Sequence, residues 1–429
     1  MIVKNSPMRQ FLKITYDLIL LILISLLCSQ SIWAEHNLAD QVEVYTRPYE
    51  FDYFYWTIQS LWSKETQTAI GVTNFIPANE KHRLVTGFMS LVHELDDVES
   101  VIEQTYSDPK IIDPQIAAKP LIDHKVKLDA LYDQQASLVE SILQNEISDV
   151  LNQLGISFQG VTFPPVLYRL TTLPDQLVVS PRNIIREDAG ISLNPGLSAQ
   201  QIHDLENNIE TNLHVSALVV PLGGVGVYPT MVYRTSDLVS LLEVIAHEWT
   251  HNFLTLHPLG INYDSTPQLR SMNETVAEIS GKEISHMVLL KYFPEYLPAQ
   301  SSQSDDIYQV KYTLSQQNDS NFDYQKEMHL TRVSVDELLA QGKINEAETY
   351  MEQRRIIFWQ NGYQIRRINQ AYFAFYGAYE SNELGPAGSD PVGPAVRQLR
   401  AQSKDLKDFL NRIARMSSFT DLQNAVKTK

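Results

Sequence analysis

An apolar run in the middle of the chain predicts a helix that begins near Asp237 and ends before Pro258. The run reads DLVSLLEVIAHEWTHNFLTL over 237–256, with apolar residues at helical spacing. Asp237 or Ser236 is the expected N-cap, and Pro258 followed by Gly260 stops the helix. Because the segment is helical, the polar side chains within it have fixed relative directions, and those directions constrain the rest of the interpretation.

The same run contains the pattern H-E-x-x-H, formed by His247, Glu248 and His251. Four residues advance a helix by about 400°, so histidines at i and i+4 project from one face. This spacing allows two imidazoles to bind one zinc ion and places Glu248 to activate water as a general base. The pattern is typical of metallohydrolases.

A catalytic zinc ion usually takes three protein ligands, and the sequence offers two candidates for the third. His257 lies ten residues after His247, the metzincin spacing, but residue 254 is Leu rather than Gly. If the helix continues, His257 lies about 120° around from the metal-binding face. The other candidate is Glu274, although Ser271 and Glu274 also fit a capping box that merely starts a helix.

A second helix is expected around Glu274, with Thr266 as N-cap, Pro267 at the first position and an end near Tyr292. Glu274 and Glu278 lie four residues apart on it and face the same way. The segment M-N-E-T-V-A-E-I-S-G resembles the N-E-x-x-x-D/E motif of the gluzincins, the thermolysin-like and M1-aminopeptidase-like zinc peptidases.

The resemblance covers only about residues 220–290. It implies that Glu274 binds zinc and that Glu278 accepts a hydrogen bond from a ligand histidine. It implies that the strand predicted over 225–233 holds an extended substrate, the alternative being an ordinary hairpin. It also implies a tyrosine that stabilises the oxyanion, and Tyr376, in a tyrosine stripe at helical spacing, is the nominee. Core packing is the alternative explanation of that stripe.

The whole pattern predicts an α+β fold that is predominantly α-helical. Strands are expected only between about 156 and 233, including two around a Gly223-Gly224 turn, and a long helix is expected from about 345 to 379. The expected units are a targeting segment (1–34), a helical N-terminal region (35–155), a zincin-like catalytic core with a small mixed sheet (156–297) and a C-terminal helical region that closes the cleft (298–429).

The first 34 residues resemble an export signal. Basic residues precede an apolar run over 18–28, which is shorter than the roughly 20 residues needed to span a bilayer. Two interpretations stay open: a signal peptide cleaved after Ala34, or an uncleaved anchor that associates the chain with a membrane. Either predicts an extracytoplasmic protein, whether secreted, periplasmic or anchored facing outward. Cys28 is the only cysteine, which suits an exported chain without disulfides.

The net charge of −17, from 34 basic and 51 acidic residues, argues against nucleic-acid binding.

From the H-E-x-x-H pattern and the N-terminal segment together, we expect an exported zinc metallopeptidase that binds one zinc ion per chain and acts on a peptide or protein substrate. Two other classes stay open. One is a zinc hydrolase of a non-peptide bond. The other is a non-catalytic exported scaffold, with a fortuitous histidine pair or a structural zinc site closed by His257.

Overall fold

The computed structural model describes residues 38–68, 72–107, 111–157, 160–263, 265–297, 322–379 and 391–427. The predicted targeting segment, with Cys28, and nearly all of the predicted loop over 298–323 lie outside the described residues. Between them the helices are α1 (Leu38–Thr46), α2 (Tyr53–Thr68), α3 (Ala78–Ser107), α4 (Pro114–Gln153), α5 (Ala199–Leu213), α6 (Leu238–Leu254), α7 (Pro258–Ile261), α8 (Pro267–Tyr292), α9 (Tyr324–Ala340), α10 (Ile344–Gln360), α11 (Gln370–Tyr379), α12 (Val392–Ala401), α13 (Leu406–Ile413) and α14 (Phe419–Lys427).

The strands form two three-stranded sheets. They are β1 (Tyr168–Leu170), β2 (Asp175–Pro181), β3 (Ala189–Leu193), β4 (Val215–Pro221), β5 (Gly224–Val225) and β6 (Thr230–Val232). The first sheet has the order β1-β6-β5 and is mixed, because β1 and β6 run parallel while β5 and β6 run antiparallel. The second has the order β3-β2-β4 and is antiparallel throughout. The prediction of a predominantly helical α+β chain with small mixed sheets is confirmed.

Strands lie on both sides of the predicted Gly223-Gly224 turn, but the two strands do not pair with each other. The strand before this turn, β4, pairs with β2, whereas the residues after it belong to the other sheet. The single strand predicted over 225–233 is two short strands, β5 and β6, that pair with each other. Pro229 has no N–H for a ladder, and the Val227 N–H bonds back to the Val225 carbonyl at 2.8 Å, so the chain turns between them.

The largest hydrophobic core joins segments from both ends of the chain. It contains the facing sides of α3 and α4, the helices α6 and α8, and the C-terminal helices α12 to α14. Within it α6 is buried on most of its surface, and the indole Nε1 of Trp249 donates to the Pro164 carbonyl at 2.8 Å. The helix with the H-E-x-x-H pattern is therefore held in place by close packing within this core.

Two further cores lie on opposite faces of the β3-β2-β4 sheet. Side chains alternate along β2, so Val178 packs with α9 to α11 whereas Leu177 and Val179 pack with α1 and α5. The long helix predicted over 345–379 is wrong as a single element. It ends at Gln360, Gly362 follows with φ of 91°, and α11 begins only at Gln370.

In the described part of the chain, no helix is both long enough and apolar enough to cross a bilayer.

Candidate metal centre

Helix α6 forms where the sequence predicts it, and its cap explains where it begins. The Asp237 carboxylate accepts from the backbone N–H of Val239 at 3.0 Å and of Ser240 at 3.4 Å, which satisfies two N–H groups that the first turn leaves unpaired. His247 and His251 then follow on one face, with their Nε2 atoms 3.0 Å apart. The two histidines therefore project from one face of the helix, as their i, i+4 spacing predicts.

Helix α8 also begins as predicted, with the Thr266 hydroxyl as N-cap and Pro267 in the first turn. It packs directly on α6 because Gly281 has no side chain. A Cβ at Gly281 would lie 3.0 Å from the Glu243 carbonyl oxygen and 3.3 Å from the Cβ of His247. This close backbone approach brings Glu274, two turns earlier on α8, within reach of the two histidines.

Glu274 completes a group of three donors that converge on one point. Its Oε2 lies 3.5 Å from Nε2 of His247 and 3.4 Å from Nε2 of His251. When each of the three residues contributes one ligand atom, these three atoms all lie within 4.8 Å of one another. Glu274 and His247 are 3% and 4% exposed, so both side chains are largely shielded from bulk solvent. Among the described residues this is the group of histidine and carboxylate side chains that could hold a metal ion.

The Glu274 oxygen that faces the histidines fits a metal ligand. Within the part of the chain that the structure describes, Oε2 is buried and makes no hydrogen bond of normal geometry. Buried carboxylate oxygens are normally paired, so an acceptor that faces two imidazole nitrogens at 3.4–3.5 Å is arranged as a cation site would require. Two histidines and a glutamate are also a donor set that catalytic zinc sites use.

The charges of the three groups oppose the effects of burial. Burial works against a charged imidazole, but the Glu274 carboxylate outweighs it and raises the pKa of His251 to about 9. Burial likewise works against the Glu274 anion, and the charges of His251 and His247 hold the pKa of Glu274 well below its usual range. The buried Glu274 carboxylate is therefore balanced by an imidazolium at His251, whose proton a metal ion would displace on binding.

Asn273 orients one of the ligand imidazoles, a role that the sequence analysis did not give it. The Oδ1 of Asn273 accepts a hydrogen bond from Nδ1 of His251 at 2.8 Å. With its proton on Nδ1, the ring presents the Nε2 lone pair to the site. The sequence signal for this residue is the Asn that precedes Glu274 in the N-E-x-x-x-E motif.

Glu278, the residue predicted to orient a ligand histidine, lies one turn beyond Glu274 on α8. Its carboxylate pairs with Lys282 at 2.9 Å. Its predicted hydrogen bond to a ligand histidine stays a prediction.

Glu248 lies beside the metal-binding group and beneath strand β5. It is 8% exposed, and a Cβ at Gly224 would lie 2.6 Å from its Oε1. A Cβ at Gly226 would lie 3.3 Å from its Oε2. The absence of side chains at these two glycines is what lets the chain pass over the carboxylate. Burial raises the pKa of Glu248, and the nearby histidines only partly offset the rise.

Tyr53, at the first position of α2, lies close enough to Glu248 for its phenol to be affected by that charge. Burial raises the pKa of the Tyr53 phenol, the hydrogen bond to Ser192 lowers it, and the negative charge of Glu248 adds to the rise. The hydroxyl donates to the Ser192 Oγ at 2.7 Å. Nothing in the local sequence around Tyr53 signals this proximity, because it depends on how α2 packs in the fold.

The other two sequence candidates lie elsewhere. His257 caps the short helix α7, and its Nδ1 donates to the Phe253 carbonyl at 2.8 Å. Tyr376 is partly buried against the core on one face of the β3-β2-β4 sheet, its ring centroid 4.6 Å from that of Tyr372 and 5.1 Å from that of Phe375. The structure thus brings Glu274, rather than His257, together with the histidine pair. The oxyanion role of Tyr376 stays a prediction.

A residue that the sequence analysis missed also contacts the site. Tyr263, in the segment between α7 and α8, donates from its hydroxyl to Oε1 of Glu274. Its ring stands edge-on to that of His251, with centroids 6.1 Å apart. The only sequence signal is an aromatic residue between the two helices that carry the predicted ligands.

No protein-family model matches this chain, and no curated protein or solved structure matches it either.

Proposed function

We propose that this chain is a zinc-dependent peptidase whose core is zincin-like. The observation that carries the proposal is the convergence of His247, His251 and Glu274 on one buried point, with the Glu248 carboxylate beside it. A buried carboxylate is costly unless a positive group binds it, and a zinc ion held by the two imidazoles would bind this one.

The donor set supports a catalytic rather than a structural zinc ion. Catalytic sites commonly use three protein ligands and leave a position open, whereas structural sites close the fourth position with protein. Among the described residues, the group that could hold a metal contains three residues, and His257 is not one of them. A zinc site closed by His257, as the non-catalytic scaffold requires, is therefore not supported.

The bound ion would supply a Lewis acid that activates water and polarises a carbonyl group. Glu248 then acts as the general base: it takes a proton from the attacking water and passes it to the leaving amine. Burial raises the pKa of Glu248, which brings the carboxylate closer to the range in which it both accepts and returns a proton. The apolar surroundings of α6 exclude bulk water from this exchange.

The edge of the first sheet supports a peptide as the substrate. Strand β5 lies at the end of the order β1-β6-β5, so one of its sides is free to pair within the described sheet. An extended peptide that adds there as a further strand would form main-chain hydrogen bonds with β5. Gly224 and Gly226 place that strand directly against Glu248, so the added backbone would pass close to the base.

The location of the protein is inferred from the N-terminal sequence alone. The apolar run over 18–28, preceded by basic residues, supports export with either a cleaved signal or a retained anchor. The single cysteine, Cys28, agrees with an extracytoplasmic chain that carries no disulfide.

The proposed function is tested with the isosteric variant Glu248→Gln. The purified chain is loaded with one equivalent of zinc and incubated with a peptide library whose products are identified by mass spectrometry. We expect cleavage by the wild type, and loss of cleavage with zinc still bound in Glu248→Gln. Glu243→Gln, on the same helix one turn earlier, is the matched control and should retain activity. Equal cleavage by wild type and Glu248→Gln would remove Glu248 as the base.

A further inference from the structure

The carboxylate of Glu274 is held at one oxygen and presented to the metal site at the other. Oε1 accepts the hydroxyl proton of Tyr263, while Oε2 lies 3.4–3.5 Å from the two histidine nitrogens. A carboxylate on a two-carbon stem rotates easily about its last torsion, which is broad in energy. A hydrogen bond to Oε1 therefore decides where Oε2 points.

Tyr263 is itself held on two sides. One edge of its ring meets the ring of His251 at 89°. The guanidinium of Arg270, in the first turns of α8, lies over its face with Cζ 5.5 Å from the ring centroid. A cation over an aromatic face is attracted by the ring quadrupole, and the attraction grows when the pair is desolvated.

Arg270 is held in turn by an ion pair with a residue of the connection between β2 and β3. Its Nη1 lies 2.6 Å from Oε2 of Glu187, which precedes β3 in the connection from β2, and the two side chains are only 20% and 13% exposed. Gly190 leaves room for Glu187, because a Cβ there would meet the Glu187 carboxylate and the Gln176 amide. A continuous chain of contacts thus runs from the β3-β2-β4 sheet to the proposed metal ligand.

We propose that Tyr263 is a positioning residue for Glu274, and that the Arg270–Glu187 ion pair holds Tyr263 in place. The chain of contacts fixes the carboxylate before metal binds, so less orientational freedom is lost on binding. The inference rests on the proposed metal site but not on any cleavage activity. It assigns to three residues, on two separate parts of the fold, a role in setting metal affinity.

The first test is the metal affinity of Tyr263→Phe, measured with zinc against a competing chromogenic chelator. We expect a loss of about 10- to 100-fold, the effect of removing a partner of a metal ligand. The Co²⁺-loaded protein should also change its visible d–d spectrum, since the coordinating carboxylate is less well oriented. Tyr292→Phe is the matched control, because the Tyr292 hydroxyl donates to Asp149 at 2.6 Å from the C-terminal end of α8, far from the metal site.

The second test asks whether the Arg270–Glu187 ion pair affects zinc binding through Tyr263. Arg270→Gln and Glu187→Gln keep the Tyr263 hydroxyl and should each weaken zinc binding by several-fold. The double variant Tyr263→Phe with Arg270→Gln should bind zinc no more weakly than Tyr263→Phe alone, because both act through one contact. Arg400→Gln, which breaks the bidentate pair with Glu283 on α8, is the control and should leave affinity unchanged.

The outcomes are distinct. Unchanged zinc affinity and an unchanged Co²⁺ spectrum in Tyr263→Phe would overturn the positioning role, even if turnover fell. Additive losses in the double variant would overturn the relay through Arg270. If Tyr263→Phe fails to fold, as judged by circular dichroism, wild-type affinity in both Arg270→Gln and Glu187→Gln overturns the proposal. A wild-type chain that binds no zinc would instead remove the metal site itself.

Discussion

Asn273 and His251 connect the two helices that form the metal centre: the Asn273 Oδ1 lies 2.8 Å from the imidazole Nδ1. The contact joins α8 to α6 and fixes a proton of His251 on the nitrogen that faces away from the site.

We predict that Asn273→Ala weakens zinc binding by about 10- to 100-fold while leaving the fold intact, because His251 loses the partner that orients it. Competition with a chromogenic chelator measures the affinity. The control is Asn361→Ala, since the Asn361 amide only donates to the Ile357 carbonyl of its own helix end. Equal affinity of Asn273→Ala and wild type would show that the contact does not orient the ligand.

Two glycines within helices, Gly281 and Gly87, should respond in opposite ways to replacement by alanine. Gly281→Ala places a methyl group 3.0 Å from the Glu243 carbonyl oxygen, so α6 and α8 must separate slightly. We expect a loss on the order of 1–3 kcal/mol, as for overpacked cores. Gly87, within α3, has open space around its missing Cβ, so Gly87→Ala should gain up to about 1 kcal/mol.

Denaturant unfolding of both variants measures these values. If Gly281→Ala is as stable as wild type, a methyl group fits between the two helices, and their contact at Gly281 is less close than the distances indicate.

A buried glutamate predicts a pH dependence of stability that is separate from the metal centre. Burial raises the pKa of Glu146 to about 7, with Lys81 opposing the rise, and its Oε2 has no hydrogen-bond partner in the described structure. The folded pKa exceeds that of the unfolded chain, so the contribution of Glu146 to stability is most favourable below about pH 4.5 and falls as the pH rises toward 7. The total cost is on the order of 3 kcal/mol.

Glu146→Gln removes that cost, so the variant should exceed wild type in unfolding free energy at pH 8 by more than it does at pH 5. Urea unfolding at both pH values measures the difference, with the exposed Glu346→Gln as control. A gain for Glu146→Gln that is the same at pH 5 and pH 8 would contradict the raised pKa.

Metal removal should destabilise the protein in a way that depends on the three ligands. Zinc present at about 1,000 times its dissociation constant stabilises the folded state by about 4 kcal/mol, so a chelator should lower Tm by several degrees. Glu274→Ala should show a Tm that the chelator does not change. Differential scanning fluorimetry with and without chelator tests this, and a chelator effect of equal size in both proteins would point to metal bound elsewhere.

Local sequence signals predicted the elements that carry the site. Asp237 caps α6 and Thr266 caps α8, and both helices end near the predicted residues because caps and prolines act over a few positions. The H-E-x-x-H spacing placed His247 and His251 on one face for the same reason.

Features that depend on distant contacts were not predictable in this way. The pairing of β4 with β2 rather than with the next strand is decided by burial on both sheet faces. Tyr263 and Arg270 reach Glu274 and Glu187 only because α6, α8 and the second sheet pack together. The choice between Glu274 and His257 likewise needed the crossing at Gly281, which no local pattern encodes.

The most direct test of the metal centre is the zinc content of the purified chain, measured by inductively coupled plasma mass spectrometry beside Glu274→Ala and His257→Ala. We predict one equivalent in the wild type, one equivalent in His257→Ala and almost none in Glu274→Ala. Zinc that survives in Glu274→Ala and is lost in His257→Ala, or a wild type without zinc, would contradict the site formed by His247, His251 and Glu274.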